Sequence, residues 1–147
     1  MSNVQSAVPL DQPYYGAPIG AAVQRFFKKY ATFRGRASRS EFWWWALVNV
    51  MVASVLSGLA LATSGPTVDE LGQPVGPSGL GLVFFVLYGV WGLVTLIPGI
   101  ALVVRRLHDS NKSGFWVFVV LVPVVGPIVL LVFELLPADP AGARFDA

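Results

Sequence analysis

Three long runs of apolar residues, separated by short polar segments, restrict what this chain can fold into. The runs cover residues 42–63, 80–104 and 115–136, and the first two contain no charged residue. At about 1.5 Å of rise per residue, a helix of either length crosses the roughly 30 Å hydrocarbon core of a bilayer. Charged residues make up 12% of the chain, about half the share found in soluble domains. The sequence therefore predicts an all-α membrane protein with three hydrophobic helical segments.

The third run differs from the others because its middle contains two prolines and a glycine, Pro123, Pro127 and Gly126. These residues either kink a helix that spans the bilayer or divide the run into a re-entrant hairpin whose halves are too short to span. The sequence leaves both alternatives open, and with them the side of the membrane on which the C-terminus lies.

An amphipathic helix is predicted over residues 20–33, before the first run. Its apolar side chains recur at the i, i+3, i+4, i+7 spacing of one helix face, and its basic side chains fall on another face. The apolar positions are Val23, Phe26, Phe27 and Tyr30, and the basic positions are Arg25, Lys28 and Lys29. This pattern is typical of a helix in the membrane interface. The sequence of residues 1–19 predicts a disordered tail. Residues 137–147 are expected to form a short polar C-terminal tail.

The basic residues are distributed unevenly along the chain. Of its ten Lys and Arg, six precede the first run, three lie in the polar segment 105–114 and one is Arg144. The segment 64–79 has none, and its only charges are Asp69 and Glu70. Because basic loops stay in the cytoplasm, this distribution predicts a multi-pass protein with a cytoplasmic N-terminus and with segment 105–114 on the same side.

Two polar segments therefore meet the membrane on one face. In the first, Ser38 and Glu41 have the spacing of a capping box, which predicts that a helix begins at residues 38–40. The second contains the only histidine of the chain, His108, next to Asp109. The candidate site residues of the two segments are Arg34, Arg36, Arg39, Glu41, Arg105, Arg106, His108, Asp109 and Lys112.

These same segments resemble the two signatures of the DUF805 family. Residues 33–44 read FRGRASRSEFWW, which is similar to the family pattern FxGRASRxEFWW, and residues 105–116 read RRLHDSNKSGFW, which is similar to RRLHDxxxSGWW. The resemblance covers residues 20–136 and implies a small protein of the bacterial inner membrane without an established function. Phe115 departs from the usual Trp, and residues 138–145 replace the family's GPNxYG-like segment.

The arginines of the two segments predict binding of anionic lipid headgroups or of a phosphate-bearing ligand, because guanidinium groups pair with phosphate oxygens. Glu41 and Asp109 are expected to orient these arginines through salt bridges. Simple positive-inside anchoring, without a specific ligand, is an equally weighted alternative. The predicted partners are the bilayer and its anionic phospholipids, with a homo-oligomer or a membrane-protein partner also open.

Other functions are less favoured by the sequence. An enzyme would need more than the adjacent His108 and Asp109, and the chain has no Cys and no Gly-x-Ser-x-Gly nucleophile motif. A channel or transporter usually carries ionisable residues within its spans, and Glu134 is the only such residue here, near the end of the third run. An oligomeric channel subunit and a membrane-assembly partner remain alternatives. No metal, cofactor or nucleic-acid partner is expected.

Overall fold

The protein is helical, as its apolar runs predict. The computed structural model describes residues 8–65 and 68–146, and within them four α-helices follow one another: α1 (Ile19–Lys28), α2 (Arg39–Thr63), α3 (Gly79–Asp109) and α4 (Val125–Leu135). Two 3₁₀ helices, Gly114–Leu121 and Pro140–Phe145, stand before and after α4. The described residues form no strand beyond an isolated bridge between Val68 and Pro74. Residues 1–7 of the predicted N-terminal tail lie outside the described residues.

α2 and α3 have the length and the surface of membrane-spanning helices. They contain 25 and 31 residues, which correspond to about 38 and 46 Å. In their most apolar stretches only 6% and 11% of the residues are buried inside the protein. A core helix of a soluble domain would bury most of that surface, so these faces require lipid as their solvent.

α3 continues beyond the predicted apolar run and ends at Asp109. The polar residues 105–109 therefore form the last turn of a helix, whereas the polarity of residues 105–114 in the sequence predicts a loop. The segment that does leave the helix is short, because Asn111 adopts a positive φ of 57° and the amide of Lys112 donates to the carbonyl of Leu107. This places Arg105, Arg106, His108 and Asp109 on a rigid element.

The chain divides into two compact units, Met1–Ala46 with Ile97–Ala147, and Leu47–Leu96. In the second unit, the indole Nε1 of Trp91 donates to Asn49 Oδ1 at 2.9 Å, a polar contact between two otherwise apolar helix segments. The connection after α2 is held by Asp69, whose carboxylate accepts from the amides of Leu71 and Gln73. The first unit contains the predicted site residues.

α1 turns a different face towards the protein than its sequence pattern predicts. Its buried positions are Ala22, Arg25 and Phe26, and Lys29 directly after the helix is buried as well. The predicted apolar stripe is split, because Phe26 stacks on Trp45 with 3.4 Å between ring centroids while Phe27 and Tyr30 are exposed. The buried stripe is thus shifted by one residue, and two cations of the presumed polar face point into the unit.

The third apolar run is divided into two short helices that pack against each other. The 3₁₀ helix Gly114–Leu121 and α4 are each about 16 Å long, so neither crosses a bilayer. A side chain at Gly126 would collide with the carbonyl of Val119, which shows how closely the halves approach. The end of the third run lies close to the segment that precedes it, because Arg106 at the end of α3 donates to the carbonyls of Glu134 and Leu136. This geometry is that of the re-entrant alternative.

A strained turn joins the two halves of this hairpin. Val124 has φ 65° and ψ −57°, and the amide of Val125 donates to the carbonyl of Pro123 at 2.8 Å, the geometry of a rare γ-turn. The amides of Val122 and Gly126 also donate within the hairpin, and the two prolines have no N–H to satisfy. The turn is thereby suited to a lipid environment, where unpaired backbone groups are costly.

We expect Val124→Gly to stabilise the protein. A β-branched residue at positive φ costs about 1–2 kcal/mol, and little packing is lost because the Val124 side chain is 76% exposed. The midpoint of thermal unfolding in detergent should rise. Val122→Gly, at an extended backbone position in the same turn, should instead lower stability by about 0.5–1 kcal/mol. A fall in both variants would show that Val124 is not strained.

Candidate functional site

A buried ion pair lies at the beginning of α2. Glu41 makes the predicted capping box with Ser38: its amide donates to Ser38 Oγ at 3.2 Å, and its Oε2 accepts from the Ser38 amide at 2.9 Å. The other carboxylate oxygen, Oε1, accepts from Arg25 Nε, and both side chains are almost completely buried. The sequence predicts that Glu41 pairs with the arginines of the two polar segments, but its partner in the structure is Arg25 of α1.

Residues 8–18 pack on this ion pair, although their sequence predicts a disordered tail. Arg25 donates to three of their carbonyls, those of Val8, Pro9 and Gln12. Ser38 Oγ donates to the Tyr14 carbonyl at 2.6 Å, and Ser40 Oγ accepts from the Ala17 amide at 2.9 Å. The segment is therefore held by polar side chains of α1 and α2.

Asp109 is the centre of a second buried cluster. Its Oδ2 accepts from Arg106 Nη1 at 2.8 Å, and its Oδ1 accepts from the hydroxyl of Tyr15 at 2.5 Å. Arg36 Nη1 lies 3.9 Å from the same carboxylate. Since Arg106 also holds the end of the third run, this cluster connects α3, the N-terminal segment and the hairpin.

The C-terminal segment covers His108 and Arg36. The imidazole stacks on Phe145 with 4.0 Å between centroids, and its Nδ1 lies 3.0 Å from the carbonyl of Gly35, so Nδ1 carries the proton and donates. Asp146 accepts from Arg36 Nε and Nη2 at 2.9 and 2.8 Å. His108 and Asp109 thus contact different groups.

The structure separates the predicted site residues into two groups. One group is used for internal contacts: Arg36, Glu41, Arg105, Arg106, His108 and Asp109. The other group faces outward. Arg34 and Arg39 are exposed, although Arg39 Nε donates to the Leu136 carbonyl at 3.1 Å. Lys112 lies over the ring of Phe133 at 5.7 Å.

Sequence reasoning missed several residues of this region, above all Arg25, Lys29, Tyr15, Phe145 and Asp146. Arg25 and Lys29 are four apart and share a helix face with Ala22 and Phe26, so the signal existed in the i, i+4 spacing. It was concealed because basic residues are normally assigned to the solvated face. Nothing in the sequence indicates the contacts of Tyr15 and Asp146, because their partners are more than ninety residues away.

A cavity of about 330 Å³ opens beside the first turn of α2. We call it the Arg39 cavity; its lining residues include Tyr15, Ser38, Arg39, Ser40 and Pro137. It combines an exposed guanidinium group, three hydroxyl groups and the N-terminus of a long helix, whose dipole favours anions. The Asp109 carboxylate also lines it and is paired with Arg106. Among the described residues no three His, Asp or Glu side chains come together as metal ligands.

Burial changes the protonation of two groups near the site. Desolvation by burial, together with the nearby charge of Arg105, lowers the pKa of Lys29 to about 8. Burial also raises the pKa of Tyr15 to about 12, and its hydrogen bond to Asp109 acts in the same direction. The pKa of Arg36 is raised, chiefly by its hydrogen bond to Asp146.

Two lipid-facing helices, a short apolar hairpin and an ion-paired polar end define a small helical membrane protein. Residues 30–147 match the model of the family described as Protein of unknown function (DUF805), and the chain belongs to this family. It is 36% identical over 106 residues to Inner membrane protein YhaI of Escherichia coli K12, covering 72% of this chain and 75% of YhaI. It is 33% identical over 122 residues to Inner membrane protein YhaH of the same strain, covering 82% and 89%. No solved structure matches.

We expect the Arg25–Glu41 pair to be strongly coupled. Arg25→Met or Glu41→Gln alone should lower the free energy of unfolding by about 3–5 kcal/mol, because each leaves a buried charge without its partner. The double variant should lose less than the sum of the two losses. Glu70→Gln, at an exposed loop position, provides the control and should change stability by less than about 0.5 kcal/mol. Additive losses, measured as unfolding free energies in detergent, would contradict the coupling.

The lowered pKa of Lys29 predicts a rise in stability with pH. Between pH 8 and the ordinary lysine value of 10.5, the unfolded chain binds more protons at this group than the folded one, so raising the pH favours folding. Tyr15 has the opposite effect, but only above its ordinary value of 10.0.

The rise should therefore be seen from pH 8 to pH 10 in thermal unfolding midpoints. It should disappear in Lys29→Met and persist in Lys28→Met, which removes an exposed neighbouring charge. If the unfolding midpoint of Lys29→Met still rises with pH to the same extent, another titrating group causes the rise.

Proposed function

We propose that this chain is a multi-pass protein of the bacterial inner membrane with its N-terminus in the cytoplasm. Both relatives are named inner membrane proteins. In this arrangement α2 and α3 span the bilayer, and the 3₁₀ helix and α4 enter from the cytoplasmic side and return to it. The uneven distribution of Lys and Arg supports this orientation, and the contacts of Arg106 with Glu134 and Leu136 support the return.

Single cysteines in this Cys-free chain test the topology. The positions Ala31, Gln73 and Ala143 are all exposed. In intact cells, a membrane-impermeant thiol reagent should label only the cysteine at Gln73, and it should label the other two after permeabilisation. Labelling at Ala143 in intact cells would show that the third run crosses the membrane. Labelling at Ala31 would reverse the orientation.

We further propose that the cytoplasmic end binds the phosphate groups of anionic lipids at the Arg39 cavity. The observation that carries this proposal is the exposed Arg39 guanidinium at the N-terminus of α2, beside the Ser38 and Ser40 hydroxyls. A guanidinium fork and the positive end of a helix dipole both favour phosphate. The buried arginines contribute by holding the cavity walls, because Arg106 fixes Leu136 next to Pro137.

This proposal is narrower than the one that the sequence suggests. Arg36 and Arg106 lie in the same region, but their guanidinium groups are engaged with Asp146 and Asp109, and Arg105 is only 1% exposed. A lipid phosphate would have to break those contacts in order to reach them. Arg39 needs no such rearrangement, since its guanidinium is exposed and, within the described part of the chain, donates from Nε to the Leu136 carbonyl.

The test compares lipid retention by variants of similar exposure. Purified protein in nanodiscs of phosphatidylglycerol or phosphatidylcholine is released into detergent, and the retained lipid is counted by native mass spectrometry. Arg39→Gln should weaken phosphatidylglycerol retention about tenfold, which corresponds to a charged hydrogen bond. Arg144→Gln removes an equally exposed arginine outside the cavity and should change retention less than about twofold. Equal losses of phosphatidylglycerol retention in the two variants would indicate that general surface charge binds the lipid, and the proposed site would be wrong.

A further inference from the structure

Two cations of the first unit are buried without complete hydrogen bonding. Lys29 is 4% exposed and Arg105 is 1% exposed. Among the described residues, the ammonium Nζ of Lys29 and the Nη2 of Arg105 have no hydrogen-bond partner. An unpaired buried cation is costly, because it loses hydration and gains no compensating contact. Such donors are therefore expected where an anion completes the site.

The charges around Lys29 do not balance. Arg25 from α1, Arg105 from α3, Glu41 from α2 and Asp11 from the N-terminal segment all act on it. Glu41 is already bound by Arg25, and Asp11 is exposed. The deeply buried part of this group consists of three cations and a single carboxylate, so the interior has an excess of two positive charges.

A cavity of about 250 Å³ adjoins Lys29. We call it the Lys29 cavity. Its potential donors to a ligand are Lys29, Thr32 and Arg34, and its acidic lining residues are Asp11 and Asp146. Asp146 is neutralised by its two-pronged hydrogen bonds with Arg36. The lining therefore contains Lys29, whose ammonium is buried, together with one exposed guanidinium and one hydroxyl group.

We propose that the Lys29 cavity is a binding site for a phosphate monoester group, with Lys29 as its buried anchor and Arg34 and Thr32 at its entrance. A phosphate monoester carries a charge of about −1.5 to −2 near neutral pH, which matches the excess of two positive charges, whereas a carboxylate would neutralise only half of it. The site is separate from the Arg39 cavity, and the failure of either proposal leaves the other unaffected.

The ligand can come from solution or from a lipid, and the two sources share this chemistry. Binding of inorganic phosphate to detergent-solubilised protein is measured by isothermal titration calorimetry. A parallel measurement counts phosphatidic acid bound in nanodiscs, with phosphatidylcholine as the reference lipid. Lys29→Met should weaken binding of the active probe about tenfold or more. Lys28→Met, which removes the neighbouring exposed charge, should weaken it by less than about twofold.

Binding to inorganic phosphate with this pattern supports a soluble ligand, and binding to phosphatidic acid alone supports a lipid headgroup. Equal losses in the two variants, or no binding of either probe, overturn the proposal. Lys29→Met removes an unpaired buried charge, so it should fold at least as stably as the unchanged protein.

Proton uptake provides a measurement that does not depend on a variant. At pH 8 the ammonium of Lys29 is partly deprotonated, while phosphate is already a dianion. Binding therefore draws protons to Lys29, and the uptake appears as a dependence of the binding heat on the ionisation enthalpy of the buffer. Binding without such uptake in the unchanged protein would also overturn the assignment to Lys29.

Discussion

The buried ion pair between Arg25 and Glu41 is the interaction on which the first unit depends. The carboxylate of Glu41 caps α2, binds α1 through Arg25 and accepts from the amide of Tyr14. The guanidinium of Arg25 in turn donates hydrogen bonds to three carbonyls of residues 8–12. One pair of side chains thereby connects three chain segments: the N-terminal segment, α1 and the beginning of α2.

A polar core of this kind is physically consistent with the rest of the molecule. Much of the apolar surface of α2, α3 and the hairpin is exposed, whereas the buried apolar residues of the first unit, such as Phe26, Phe42 and Leu107, are next in sequence to buried charged residues. Buried charges such as Asp109 and Arg106 specify which groups meet, because each is costly unless its own partner is present. Specificity arises from hydrogen bonding here, and the Lys29 and Arg39 cavities are the places where that bonding is left incomplete.

The fold was largely predictable from the sequence, and the site was predictable only in part. Long charge-free runs determine α2 and α3 almost alone, since few structures other than a spanning helix accommodate them. The capping box at Ser38 and Glu41 is a local signal, and it was confirmed. The end of α3 was not predicted correctly, because the polarity of residues 105–109 indicates a loop. Tertiary contacts of Arg106 and Asp109 instead keep these residues helical. The inward face of α1 was also misassigned, since a buried arginine has the same sequence signal as a solvated one until its partner is known.

The contact between Arg36 and Asp146 joins residues that are 110 positions apart, and both lipid-facing helices are synthesised between them. During translation, α2 and α3 enter the membrane while Arg36 and His108 still lack Asp146 and Phe145. The contacts that cover Arg36 and His108 can therefore form only after Phe145 and Asp146 have been synthesised. Closure of the polar end is thus a late event of folding, which follows the completion of both long helices.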